Sequence, residues 1–159
     1  MGIEIERKFL VTGDGWRSQA EGSIYRQGYI QTKGVTTVRV RIADNQGFIT
    51  IKGPAHGISR AEFEYPVPVA DAEQMLATLC DRPLIEKTRY VLNYGALTWE
   101  IDEFHGDNNG LILAEVELMD VNQAIEPPDW LGEEVSDDPR YFNSNLAKTP
   151  FTQWPDHQS

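Results

Sequence analysis

A mainly β fold, an antiparallel sandwich or a closed barrel, is what this 159-residue sequence predicts. Three observations carry that expectation. Eight segments alternate in polarity with a period of two, which in a strand sends successive side chains to opposite faces. Short Asn/Asp/Gly clusters separate several of them and supply the positive φ that hairpins need. Only two stretches have helical spacing, and no low-complexity tract or linker divides the chain, so a single domain over residues 1–159 is expected.

The first strand, 3–11, puts Glu4, Glu6 and Lys8 on one face and Ile3, Ile5, Arg7 and Phe9 on the other. Segments 24–32 and 35–43 follow across a Lys33-Gly34 turn, and in the second of them Arg39 and Arg41 oppose Val38, Val40 and Ile42. Asp44-Asn45-Gln46-Gly47 turns the chain into 46–53, where Lys52 lies between Ile51 and Gly53. Segment 61–69 sets Glu62 and Glu64 against Phe63 and Tyr65. Met75, Leu76 and Leu79 then recur at helical spacing, which predicts a helix over 71–79 with Asp71 as its N-cap. Strands 84–94 and 96–104, joined at Tyr94-Gly95, carry Lys87 with Arg89 and then Glu100 with Asp102, the latter pair opposed by Trp99 and Ile101. Beyond Gly106-Asp107-Asn108-Asn109-Gly110, the strand at 111–119 sets Glu115 and Glu117 against Ala114, Val116 and Leu118. Asp138-Pro139 reads as an N-cap followed by proline at the first helical position, opening a helix over 140–148.

Composition narrows the function. Hydrophobic residues make up 40% and charged residues 25%, as in an ordinary soluble globular protein. Glu4 and Glu6 interrupt any secretory leader, and no apolar run is long enough to span a bilayer. Cys80 is the one cysteine, so no internal disulfide forms; it reads as a small buried residue, and a reducing cytoplasm fits. A net charge of -11 argues against a nucleic-acid binder or a polybasic membrane surface, since both need a basic face. A pocket can still concentrate positive charge inside an acidic shell.

The polar faces are unusual because nearly every position on them is ionisable. A sheet with one wet face normally mixes Thr, Ser and Gln with its charges. Here acids pair with acids and bases with bases at i and i+2, where like charges repel unless a counter-charge or metal intervenes. A barrel interior lined with charge accounts for this better than solvated surface. The set is six bases (Lys8, Arg39, Arg41, Lys52, Lys87, Arg89) and eight acids (Glu4, Glu6, Glu62, Glu64, Glu100, Asp102, Glu115, Glu117), a formal balance of -2. Two divalent cations on the acids would make the interior positive and attractive to a triphosphate. Carboxylate oxygens favour Mg²⁺ or Mn²⁺, and His56, His105 and His157 have no metal-binding spacing. The guanidinium forks of Arg39, Arg41 and Arg89 match phosphate oxygens, with Lys52 and Lys87 as point charges.

Glu4-x-Glu6-x-Lys8 resembles the opening signature of the CYTH superfamily, the triphosphate tunnel metalloenzymes. Arg39-x-Arg41, Lys52, Glu62-x-Glu64, Lys87-x-Arg89, Glu100-x-Asp102 and Glu115-x-Glu117 resemble that family strand by strand, and Gln27-Gly28-Tyr29-Ile30, Glu133-Glu134-Val135 and Arg140-Tyr141 resemble its accessory segments. The similarity covers about residues 2–148, and the chain is most similar to the short prokaryotic inorganic tripolyphosphatases of that family. It implies an eight-stranded antiparallel β-barrel tunnel with a charged interior and helices packed outside. It implies substrate contacts from Lys8, Arg39, Arg41, Lys52, Lys87 and Arg89. It also implies metal binding by Glu4, Glu6, Glu115 and Glu117, with Glu100 and Asp102 nearby. The catalytic candidates are Glu4, Glu6, Lys8 and Glu117, and the carboxylate that takes the proton of the attacking water stays open among Glu4, Glu6 and Glu117. Where some relatives carry a further base after the tyrosine of the C-terminal helix, this chain has Phe142, leaving Arg140 as the candidate for an extra phosphate contact. The role of Arg26 is open.

The expected activity is metal-dependent hydrolysis of inorganic tripolyphosphate to pyrophosphate and phosphate, with nucleoside triphosphates as lesser substrates and thiamine triphosphate as a variant. The alternatives are a class IV type adenylate cyclase and a non-catalytic polyphosphate- or nucleotide-binding barrel. Outward-facing Ile3, Ile5, Val38, Val40, Phe63, Trp99, Ile101 and Val116 need cover from the 71–79 helix and from Trp130, Leu131 and Leu146. A homodimer interface would cover what these leave.

Overall fold

The computed structural model of the protein describes residues 2–155, so His157 lies outside the described residues. The strands are β1 (Ile3–Val11), β2 (Gly22–Ile30), β3 (Thr37–Ala43), β4 (Gln46–Lys52), β5 (Ser59–Val67), β6 (Ile85–Tyr94), β7 (Leu97–Phe104), β8 (Ile112–Glu117) and a short β9 (Leu131–Glu134). Pairing runs β5-β4-β3-β2-β6-β7-β8-β1 and returns to β5, which closes an eight-stranded antiparallel barrel. β1 is the seam. It pairs with β8 through Glu6 to Leu10, with β5 through Ile3 to Ile5, and with β9 at Phe9 and Val11. The sequence does not predict β9, because four residues are too few to show a period.

Turn chemistry acts where the alternation predicts it. Asp44 and Asn45 both take positive φ (51° and 61°), the geometry of a two-residue hairpin whose twist matches the flanking strands. The first helix, α1 (Val69–Thr78), begins two residues earlier than expected. Pro68 is its N-cap position, and Asp71 sits in the first turn, where it opposes the positive end of the helix dipole. The second prediction divides: Pro139–Tyr141 is a 3-10 turn capped by Asp138, whose carboxylate accepts from the Arg140 backbone N–H. Phe142 is then extended, and helix α2 spans Asn143–Lys148.

Apolar packing lies in three places. Outside the barrel, Val40 is buried beneath Ala72 and Leu76 of α1, with Cys80 beside them. Also outside, Phe9, Trp99, Ile101, Ala114 and Val116 are covered by Trp16, from a 3-10 turn at Gly15–Gln19, and by Trp130. The third cluster differs from the sequence expectation for Leu146. Strand parity gives Ile85, Phe104 and Leu113 the same inward face as Lys87, Asp102 and Glu115, and these residues pack with Tyr141, Leu146, Ala147 and Trp154. Leu146 therefore closes one end of the barrel instead of covering its outer wall. Ile3, Ile51, Phe63 and Tyr65 stay exposed on the β1/β4/β5 face. Among the described residues no helix is long and apolar enough to cross a membrane.

The seam has an ionic clasp. Arg7 of β1 grips Glu134 of β9 in bidentate fashion at 2.9 and 2.6 Å, and the Ser136 hydroxyl donates to the same carboxylate. The Arg7 hydrogen bond holds the Glu134 pKa below its ordinary 4.5, so the clasp acts fully above that value and fades as pH falls through the folded pKa. Both partners are part-exposed, and Glu134→Gln is expected to cost only about 0.5–1 kcal/mol at pH 7 and low salt. Urea unfolding at pH 7 and pH 3 checks this: the variant's deficit at neutral pH should shrink in acid and in high salt.

Candidate active site

The inward faces of β1 to β8 enclose a cavity of about 240 Å³. Thirteen of the fourteen charged residues singled out in the sequence line it; Asp102 does not. Arg60 lines it as well, carried inward because it lies opposite Glu4 in the β1–β5 register and two residues before Glu62. The lining therefore holds seven bases against seven acids, in place of the deficit expected from the sequence.

Asp102 lies behind the lining, 1% exposed, as the anchor for two bases. Its carboxylate accepts from Arg89 Nε and Nη2 at 2.7 and 2.8 Å and meets Lys87 Nζ at 2.8 Å. Burial would raise its pKa, but the charges of Arg89 and Lys87 bring it down to about 2. Both oxygens are thus engaged by cationic side chains, which makes Asp102 an anchor for Arg89 and Lys87. Arg89 also reaches Glu115 at 3.2 Å and Glu100 at 3.3 Å. Burial lowers the Lys87 pKa to about 7, with Arg89 and Arg41 adding repulsion and Asp102 opposing it.

The other bases are held similarly. Lys52 sits between Glu4 (3.1 Å) and Glu62 (3.5 Å). Burial works against its ammonium, but Glu4, Glu6 and Glu62 more than offset that and raise its pKa. Lys8 faces Glu115 at 3.6 Å, donates to the Tyr141 carbonyl and lies over the Phe142 ring. Arg39 reaches the Thr50 hydroxyl and Glu64, and its buried Nε has no partner among the described residues. Arg41 donates through Nε to Gln27, and burial together with the charges of Arg39 and Arg89 lowers its pKa to about 10. The Tyr25 ring packs against both Arg41 and Arg89, each guanidinium 4.9 Å from its centroid.

The acids include two opposed like-charge pairs. Glu6 faces Glu117 across β1 and β8, and Glu100 faces Glu115 across β7 and β8. Like charges placed directly opposite destabilise a sheet unless a cation lies between them. Burial, and then Glu115 and Glu4, push the Glu6 pKa well above its ordinary value. Burial raises Glu100 as well, while Lys8 and Arg89 hold Glu115 well below the carboxylate range against its own burial. Carboxylates crowded in this way fit a hard divalent cation, although among the described residues no three of them are already gathered as a cage.

The remaining candidates lie elsewhere. Arg26 points outward and pairs with Glu73 of α1 at 2.7 Å. Arg140 binds Asp138 and stacks on Trp154, outside the lining. His105 meets the Thr88 hydroxyl, and His56 lies in the loop before β5. Sequence reasoning missed Arg60, Tyr25 and Asn143, and placed Gln27 only within an accessory segment. Arg60 was legible from strand parity, whereas Tyr25 and Asn143, neutral among so many charges, gave no signal.

Comparison with known proteins gives concordant results. The family description "CYTH domain" matches residues 2–148. An inorganic triphosphatase of Acetivibrio thermocellus is 52% identical over 95% of this chain and 97% of that protein. An inorganic triphosphatase of Nitrosomonas europaea is 40% identical over 91% of this chain and 96% of that protein. The crystal structure of the inorganic triphosphatase NE1496 superposes with a TM-score of 0.64 at 36% identity, covering 90% of this chain and 96% of its own.

Proposed function

The chain belongs to the CYTH family, and from that premise we propose that it hydrolyses a triphosphate, inorganic tripolyphosphate foremost, to pyrophosphate and phosphate inside its barrel. The observation that carries this reading is the cavity: about 240 Å³, lined by seven bases and seven acids, large enough for a short polyanion. The names of the two relatives favour hydrolysis over cyclisation of ATP. The whole chain acts as one unit, and its single cysteine suits a reducing cytoplasm.

Phosphoryl transfer depends mainly on positioning and on stabilising charge at the transferring and leaving oxygens. Lys8, Arg39, Arg41, Lys52, Lys87 and Arg89 supply that charge, and Arg60 adds to it at the start of β5. Glu4, Glu6, Glu115 and Glu117, with Glu100 beside them, would hold Mg²⁺ or Mn²⁺. Such an ion would neutralise phosphate oxygens and lower the pKa of a water nucleophile. Of the three carboxylates open to that water's proton, Glu4 is tied to Lys52 and Glu6 to Glu115. Glu117 lines the cavity with no ion pair among the described residues, which supports its assignment as the acceptor.

Phosphate release from tripolyphosphate under Mg²⁺ and Mn²⁺, beside product analysis with ATP, tests the reading. Turnover of tripolyphosphate should lead, and ATP should yield ADP with phosphate and no cyclic AMP. Arg41→Ala removes a buried fork from the lining and should lower kcat/KM by about 100-fold or more, a typical loss for a group that stabilises transferring charge. Cyclic AMP as the product, or a fully active Arg41→Ala, would overturn the reading.

A further inference from the structure

Lys87 and Arg41 stand on different strands, and one hydrogen-bonded relay joins them. Arg41 Nε donates to Gln27 Oε1 at 2.8 Å. Gln27 Nε2 donates to Asn143 Oδ1 at 3.2 Å and to the Tyr29 hydroxyl at 3.1 Å. Asn143 Oδ1 also accepts from Lys87 Nζ at 2.8 Å. Neither cation can accept a hydrogen bond, so each amide has one workable orientation: Gln27 must turn its oxygen to Arg41, and Asn143 must turn its oxygen to Lys87. Gln27 is fully buried, so a flip would leave an unpaired polar group.

Asn143 opens helix α2, outside the sheet, whereas Asp102, the other partner of Lys87, stands on a strand. An ammonium has three N–H bonds. Asp102 and Asn143 take two, which leaves the third for a phosphate oxygen in the cavity. The helix does not need this amide to stay docked. Leu146 and Ala147 are buried in the apolar end of the barrel, and Asn145 Nδ2 donates to the Pro139 carbonyl.

We propose that Asn143 is a positioning residue for triphosphate hydrolysis, acting through Lys87 and, by way of Gln27, through Arg41. The inference rests on the functional reading above and deepens it: the C-terminal segment fixes where two phosphate-binding bases point. Displacing a reacting or stabilising group by about 1 Å can cost on the order of 100-fold, so a missing acceptor here should be felt in turnover.

The test is tripolyphosphate kinetics on wild type, Asn143→Ala, Asn143→Asp, Lys87→Met and the double variant Asn143→Ala/Lys87→Met, with Tm for each. Asn143→Ala should lower kcat/KM by about 10- to 100-fold while Tm moves by only about 2–4 °C, the shift that about 1 kcal/mol gives a domain of this size. Asn143→Asp keeps an acceptor oxygen and should recover most of the loss. In the double variant the loss from Asn143→Ala should be smaller than in wild type, because only the Gln27–Arg41 arm is left for Asn143 to position. If Lys87→Met does not fold, Gln27→Met with Asn143→Ala reads the same coupling through the other end of the relay. Wild-type kinetics in Asn143→Ala, multiplicative losses in the double variant, or failure of Asn143→Asp to recover would each overturn the inference while the functional reading stands. A wild-type protein inactive on tripolyphosphate would overturn both.

Discussion

Asp102→Ala is expected to destabilise the protein by about 3–5 kcal/mol and to reduce tripolyphosphate turnover more than 100-fold. Asp102 is 1% exposed and compensates Arg89 through two hydrogen bonds and Lys87 through one ion pair. Its removal leaves two cations facing each other and Arg41 in a site with little water. A buried pair broken from one side costs far more than its net worth, because the desolvated charges lose their main counter-charge: Arg89 keeps Glu100 and Glu115 at 3.3 and 3.2 Å, and Lys87 keeps only the Asn143 amide. For a domain of this size that loss lowers Tm by roughly 10 °C. Asp102→Asn keeps an acceptor for Arg89 but not the charge, and should fall between. Urea titration at pH 7 measures the first effect and phosphate release the second. A variant within 1 kcal/mol of wild type in urea and fully active would show that Asp102 anchors neither base.

Much of this arrangement is legible in the sequence because period-two alternation acts on each strand separately. The bounds of β1 follow from it, as does the inward face of every charged row. The closed end was legible too, although the expectation for Leu146 missed it: four charged rows run on into an apolar residue of the same parity, from Lys8 to Leu10, Lys87 to Ile85, Asp102 to Phe104 and Glu115 to Leu113. Asp102 differs from the other inward acids in depth: strand parity says which way a residue points but not how deep it sits, and depth brings this carboxylate against Arg89 and Lys87 behind the lining. β9, the 3-10 turn carrying Trp16 and the Gln27–Asn143 link depend on contacts between distant segments, for which local patterning holds no signal.

Glu117→Gln should separate binding from turnover. With seven bases and seven acids in the lining, the wild-type cavity has no net pull on a polyanion until cations join the acids. Removing one negative charge without changing shape tips the lining to the bases. Metal-free affinity for tripolyphosphate should then rise on the order of tenfold, the scale of one charge interacting across several ångströms at an effective dielectric near that of a protein surface. Metal-dependent hydrolysis should fall by about 100-fold or more in kcat, since Glu117 is both a cation ligand and the assigned acceptor of the water's proton in the functional reading. The opposite signs make the test sharp, because a misfolded variant would lose affinity and turnover together. Calorimetric titration in chelator against tripolyphosphate, beside turnover under Mg²⁺ and Mn²⁺, reads both quantities. Unchanged kcat would remove Glu117 from the chemistry. Weakened metal-free binding would mean that the carboxylates help to seat the polyanion, contrary to the charge balance of the cavity.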